Sequence, residues 1–262
     1  MKAWLGYSAL RYLGEANHGA YFRAAPPADL GLDGPVLLKI LYAGSSDDQW
    51  QAFAREIRLL GDLEDPHVVP LLDRGHEQGR LHYATEFPVA GTLLEPAEAI
   101  DAATAQKALA HGARGLHAVH LAGVVHRDFK PSKVFLSQDG GKLSDLGTAD
   151  ETRMQEGHAV PTGTLGFMAP EIAKGDPASV RSDLFSLGAT VHQVLTGQGL
   201  YPDLPRQNIV AALGHLATEA PTIARDKLPA SIEPVVSACL SQNPKDRPGS
   251  ALDVARALES LG

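Results

Sequence analysis

The sequence predicts an α+β protein in which a small β-rich part comes first and a larger, mainly helical part follows. Three observations carry that prediction. Residues 7–39 alternate apolar and polar positions around Gly14, Gly19, Gly31 and Gly34, with prolines at 26, 27 and 35, the pattern of short antiparallel strands. From Asp101 the spacing becomes helical, through an Ala-rich stretch that stops at Leu121-Ala122-Gly123. Between apolar flanks ending at Val125 and resuming at Val134 lies an eight-residue polar run with four cationic or imidazole side chains and one carboxylate. A loop so charged between buried flanks reads as a site.

The 262-residue chain is 44% hydrophobic, enough for one large core or two small lobes. A formal net charge of −8 disfavours broad contact with nucleic acid or anionic membrane. Cys239 is the single cysteine, which excludes an internal disulfide framework. No charged-then-apolar leader opens the chain and no apolar run reaches membrane-spanning length. The expected setting is therefore cytoplasmic, with protein partners, no nucleic acid and no membrane segment. His111, His117 and His120 share one helical pattern without paired Cys or a close acid, so they read as helix residues rather than a structural metal site.

After the strand Val36-Leu37-Leu38-Lys39, Ser45-Ser46-Asp47-Asp48 supplies a cap and first-turn acids for a helix. Its buried stripe is predicted as Trp50, Phe53 and Ile57, with Glu56 next to it. Residues 68–72 and 80–87 read as two more strands. Residues 134–137, a turn at Gln138-Asp139-Gly140-Gly141, and residues 142–145 read as a β-hairpin. That register sets Val134 opposite Asp145 and brings a second carboxylate back beside Lys133. Two carboxylates brought together at strand ends suit metal-assisted phosphoryl transfer.

These residues resemble a known family. His126-Arg127-Asp128-Phe129-Lys130-Pro131 is similar to the catalytic loop of eukaryotic-like (Hanks-type) bacterial Ser/Thr protein kinases, and Asp145-Leu146-Gly147 resembles their magnesium-binding triplet. Leu13-Gly14-Glu15-Ala16-Asn17-His18-Gly19 resembles the Gly-rich loop, with Ala16 where the second glycine stands; alone, the two glycines equally suit a plain hairpin turn. Gly163-Thr164-Leu165-Gly166-Phe167-Met168-Ala169-Pro170-Glu171 resembles the end of an activation segment, and Asn243-Pro244-Lys245-Asp246-Arg247-Pro248 a later signature. The motifs keep family order from about Leu10 to Leu258. The resemblance implies a bilobal protein-kinase fold spanning 1–262, with the small lobe at about 7–87, a hinge at 88–91 and the large lobe at 92–262.

The resemblance also implies roles. Lys39 would position phosphates, Glu56 orient Lys39, Asp128 accept or orient the substrate hydroxyl, Lys130 brace the transferred group, Thr164 brace Asp128 and Lys130, and Asp145 bind magnesium. Gly14, Gly19, Tyr21, Leu37, Glu86, Pro88 and Phe135 would line the nucleotide site. Asp183 would hold the loop of His126 and Arg127 from beneath, and Arg247 would pair with Glu171.

Several of these positions depart from the family. Lys133 replaces a metal-binding Asn, and an ammonium offers only donors and repels a cation. It would either pair with Asp145 or stand in for a second magnesium. Pro88 has no N–H for adenine. Tyr21 and Leu37, above the adenine, and Phe135, below it, are each larger than the family residue, in an interior that absorbs added volume poorly. Two readings follow. One is a pseudokinase with impaired ATP and magnesium binding, acting as a regulatory or scaffolding partner and needing no cofactor. The alternative is an active Ser/Thr kinase using ATP and magnesium on a protein substrate. A phosphotransferase for small molecules fits the Gly163 to Glu171 segment and the Arg247 signature less well.

Overall fold

The computed structural model describes residues 6–16, 19–77, 79–146 and 165–260. Five antiparallel strands come first: β1 (Ser8–Ala16), β2 (Gly19–Ala25), β3 (Val36–Leu41), β4 (Leu71–Glu77) and β5 (Arg80–Glu86). They form one sheet in the order β1-β2-β3-β5-β4. In this ladder Tyr21 lies opposite Lys39, and Lys39 opposite Tyr83. Directly opposed residues share a face of the sheet, so these three side chains project together. The alternate residues Val36, Leu38 and Ile40 join Tyr7, Ala24 and Ala84 in a separate apolar layer. Gly19 belongs to β2 for a packing reason, since a Cβ there would lie 2.3 Å from the Ile40 carbonyl oxygen.

Helix α1 (Asp47–Asp62) starts at a capping box in which Ser46 and Gln49 satisfy each other's backbone N–H. Its buried face is Phe53, Glu56, Ile57 and Leu60. Trp50 departs from the expected stripe: it is 40% exposed and packs edge-on against His76. The helix faces β4 and β5, and burial begins only from its second turn. The strand expected at 68–72 also starts later, at Leu71. Val68 instead makes an isolated parallel bridge with Leu143, where Leu143 N donates to His67 O at 2.7 Å and Val69 N to Leu143 O at 2.9 Å. That bridge ties the small lobe to the large one.

Helix α2 (Ala102–Leu121) is capped by Asp101, which accepts from Thr104 N at 2.7 Å. The hairpin follows as β6 (Val134–Ser137) and β7 (Gly140–Leu143), with Val134 opposite Leu143 rather than Asp145. The turn is thus the two residues Gln138-Asp139. Gly140 and Gly141 are strand residues laid against α2, where a Cβ would meet the His111 ring at 2.5 Å and the Ala108 carbonyl oxygen at 2.7 Å respectively. Their missing side chains serve close approach of strand to helix, a second use of glycine that mimics a turn signal.

The remaining helices are α3 (Pro170–Ala173), α4 (Val180–Thr196), α5 (Ile209–Thr218), α6 (Glu233–Cys239) and α7 (Ala251–Glu259). Helix α4 runs through the middle of the large lobe, buried continuously from Ser182 to His192. One apolar core extends from Leu41 and Phe53 through Phe129 and Leu143 to Leu258. Arg247 forks onto Glu171 with contacts of 2.6 and 2.8 Å, stacks over Phe185 at 5.2 Å, and donates to the Ser241 and Arg181 carbonyls. No helix among the described residues is long and apolar enough to cross a membrane.

The hairpin register has a measurable consequence. Gly141→Ala forces a methyl against the α2 backbone and is expected to cost roughly 1–3 kcal/mol, whereas Gln138→Ala in the exposed turn stays within about 0.5 kcal/mol. Urea unfolding of the two variants checks the assignment.

Candidate active site

The polar loop is shaped from beneath by α4. Asp183, almost fully buried, accepts from His126 N at 2.7 Å and Arg127 N at 2.8 Å, and contacts His120 Nε2 at 2.8 Å. These bonds hold Arg127 in the left-handed region at φ 67°, a conformation non-glycine residues adopt only when surroundings impose it. His126 is completely buried, and burial pulls its pKa below the ordinary histidine value. The Arg127 Nε and Nη1 atoms find no hydrogen-bond partner among the described residues. This frame aims Asp128 into the cleft, where Lys130 Nζ meets its Oδ1 at 2.8 Å.

From the other lobe, Lys39 on β3 reaches Glu56 on α1, with contacts of 2.9 and 2.8 Å to the two carboxylate oxygens. Tyr83 on β5 donates to Glu56 Oε1 at 2.6 Å. The Lys39 ammonium also lies 5.4, 5.5 and 5.6 Å from the ring centres of Tyr21, Phe53 and Tyr83. Lys39 and Glu56 are only 1% and 4% exposed, so this pair is a charged part of the interior. Burial raises the Glu56 pKa, and the Lys39 ammonium opposes that rise.

The replaced metal position is Lys133, at the end of a short 3-10 turn starting at Pro131. Its Nζ is bonded to Asp145 Oδ2 and lies 3.6 Å from Asp128 Oδ2. Although the hairpin register differs from expectation, Asp145 still arrives here, because Ser144 N and Oγ both donate to Lys133 O at 2.8 and 3.0 Å. Asp145 is itself left-handed, at φ 59°. Its Oδ1 lies 3.9 Å from Lys39 Nζ. Burial works against both charges of the Lys133–Asp145 pair and is the largest single influence on each, but the opposite charges around them together outweigh it: Asp145 and Asp128 for Lys133, and Lys133 and Lys39 for Asp145. Lys133 is held above the usual lysine range and Asp145 well below the usual carboxylate range.

Magnesium takes a near-octahedral set of oxygen donors. Here an ammonium sits between the two carboxylates that face the cleft and already uses one oxygen of Asp145. That donor set does not fit a pair of divalent cations. At the adenine end, Leu37 lies one β-ladder step from Lys39 on the same face, and Phe135 is 7% exposed within the common core. Tyr21 sets its ring beside the Lys39 ammonium. Glu86 accepts from Lys142 Nζ at 2.8 Å, and Pro88 closes a turn through its carbonyl, which accepts from Gly91 N at 2.9 Å. Gly14 and Gly19 flank Asn17 and His18, which lie outside the described residues, as do Gly147 and Thr148, Thr152, Thr162 and Thr164.

Tyr83 and the closeness of Tyr21 to Lys39 escaped the sequence reading. The strand alternation held the signal: once Tyr21, Lys39 and Tyr83 are in register, all three must share one face. The Lys133–Asp145 pair also predicts a pH profile. The lowered carboxyl of Asp145 contributes stability that is complete above its unfolded value and is lost as pH falls below about 4. The raised ammonium of Lys133 contributes stability that is complete below its unfolded value and is lost as pH rises past about 10. Lys133→Met is expected to lower stability by about 2–3 kcal/mol, under the roughly 3–5 kcal/mol for a fully buried pair. That deficit is flat between about pH 5 and pH 9 and shrinks outside this window, as denaturant unfolding across pH measures.

Comparison with known proteins agrees with this geometry. The protein kinase domain family matches residues 7–259. Serine/threonine-protein kinase PknJ of Mycobacterium tuberculosis is 32% identical over 267 residues, covering 96% of this chain and 44% of that protein. The DNA damage-responsive serine/threonine-protein kinase RqkA of Deinococcus radiodurans is 32% identical over 259 residues, covering 95% and 38%. Serine/threonine-protein kinase PknK of M. tuberculosis is 28% identical over 267 residues, covering 98% and 24%. The chain therefore spans between about a quarter and less than half of these relatives. With the family matched from the first strand to the last helix, and with its fold and loop framework in place, the chain belongs to the bacterial Hanks-type Ser/Thr protein kinase family.

Proposed function

We propose that this kinase-fold signalling protein is a pseudokinase with impaired ATP and magnesium binding, which acts on a protein partner as a regulator or scaffold. The observation that carries the reading is the position of Lys133 Nζ, bonded to Asp145 Oδ2 and 3.6 Å from Asp128 Oδ2. The cleft assembles three ammonium groups, Lys39, Lys130 and Lys133, against three carboxylates, Glu56, Asp128 and Asp145. An Asn at 133 would leave one negative charge in excess, which attracts a cation; the lysine cancels it. Pro88 removes one backbone donor for adenine. Lys39, 1% exposed and ringed by aromatic side chains, has its ammonium committed to Glu56.

A second reading is favoured by the short Lys39–Glu56 and Lys130–Asp128 contacts. In it the domain is an active Ser/Thr kinase, with Asp128 as base toward a protein hydroxyl and Asp145 on one magnesium ion.

Thermal unfolding with ATP, with and without magnesium, separates the two, because a ligand that binds only the folded state raises the melting temperature by mass action. The pseudokinase reading expects no magnesium-dependent rise and no autophosphorylation. A clear rise, with phosphate incorporation abolished by Asp128→Asn, establishes the active kinase instead. Lys133→Asn restores the neutral oxygen and is expected to create a magnesium-dependent rise absent from the unmodified chain.

A further inference from the structure

Helix α1 meets the sheet through a face that carries a charge. Its buried residues are Phe53, Glu56, Ile57 and Leu60, and the carboxylate of Glu56 is the group that burial penalises, so the docking of the helix depends on what Glu56 meets. Two strands answer it. Lys39 on β3 contacts both carboxylate oxygens, at 2.9 and 2.8 Å. Tyr83 on β5, directly opposite Lys39 in the ladder, donates its hydroxyl to Oε1 at 2.6 Å. Charge-assisted O–H···O bonds fall at about 2.5–2.7 Å and are roughly twice as strong as neutral ones. The ring of the same tyrosine packs against Phe53, with centres 5.5 Å apart and planes tilted by 47°. Phe53 and Glu56 lie one helical turn apart on the same side of α1, so a single side chain of the sheet takes hold of both. Tyr83 is 3% exposed, and burial together with the adjacent Glu56 charge raises its phenol well above the ordinary tyrosine value, which keeps it a donor.

We propose that Tyr83 is a positioning residue, a second anchor for Glu56 that keeps α1 docked on the sheet whether or not Lys39 is engaged elsewhere. With one anchor alone, an anion that draws the Lys39 ammonium away would also strip Glu56 of its partner and free the helix. Lys39 already has such a competitor, Asp145 Oδ1 at 3.9 Å. The phenol does not face that choice, because its ring is held against Phe53 and its hydroxyl has Glu56 as acceptor. The position of α1 is therefore set within the small lobe, from β5, and not by what occupies the cleft. The outer face of the helix, where Trp50 packs against His76, accordingly keeps one placement with and without nucleotide. The clamp involves neither nucleotide nor metal, so it goes beyond the choice between pseudokinase and active kinase and holds under either.

The test uses the full chain without nucleotide or metal. Tyr83→Phe keeps the ring and removes the hydroxyl. It should speed amide exchange at residues 53–60 by roughly ten- to a hundredfold, the effect of losing a hydrogen bond to a charged group. Exchange in α4 stays unchanged and serves as the folding control. The variant should also raise the titration midpoint of the Glu56 carboxyl, followed by carboxyl-carbon NMR, since the phenol favours the charged form against burial and the Asp145 charge. The other ionisable groups that bear on Glu56 are Lys39, Tyr21, Asp145 and Lys133, and this variant retains all of them. Lys39→Met tests independence: adding Tyr83→Phe to it should speed exchange at 53–60 by a further factor of roughly ten to a hundred. If the double variant exchanges no faster than Lys39→Met, the phenol acts only through the lysine and the second anchor is overturned. If Tyr83→Phe leaves exchange at 53–60 unchanged, or speeds it without moving the Glu56 midpoint, the ring packs and the hydroxyl holds nothing, which overturns the proposal as well. A magnesium-dependent ATP response of the unmodified chain would sink the pseudokinase reading without altering these results.

Discussion

An ammonium held between two carboxylates organises the cleft. Charges taken out of water persist only when each has a partner at bonding distance. Asp145 and Asp128 converge because the chain brings the end of the hairpin back to the catalytic loop. In the protein kinase family that convergence is completed by metal ions. Here Lys133 places a positive charge between Asp128 and Asp145, and the same Asp145 lies 3.9 Å from Lys39.

That arrangement depends on a scaffold of buried anchors in the large lobe. Asp183 holds the backbone of His126 and Arg127, forcing one residue into a left-handed turn. Arg247 and Glu171 form a two-pronged bond in the large lobe, with Phe185 beneath the guanidinium. Neither feature touches the chemistry. Both fix the rigid body against which Asp128 is aimed, and both are intact although the metal position has changed. The fold of a kinase and the donor set for its cations are thus physically separable: the first rests on buried backbone anchors, the second on a few side chains facing the cleft.

Much of this was legible from residue types and spacing. The capping residues Asp101 and Ser46, the pairing of Lys39 with Glu56, and the placement of Asp183 beneath the loop all follow from local chemistry or from motif order. Trp50 was misplaced because helical periodicity alone does not say where along its length a helix meets a sheet. The hairpin was misregistered because Gly140 and Gly141 look the same in sequence whether they turn the chain or admit a helix backbone. The closeness of the Tyr21 ring to Lys39 was not read from motif position, which identifies a strand site but not the direction a long side chain takes from it.

What the sequence determined by itself was the family, the order of strands and helices, and the exchange of a neutral oxygen for an ammonium at position 133, since these depend on residue identity and spacing. What only the tertiary structure decided was where that ammonium goes and what it meets. Its bond to Asp145 and its approach to Asp128 close a loop of neighbouring residues, while the approach of Lys39 to the same Asp145 joins residues more than a hundred positions apart. Their energies depend on distance and burial, which exist only once the lobes have packed.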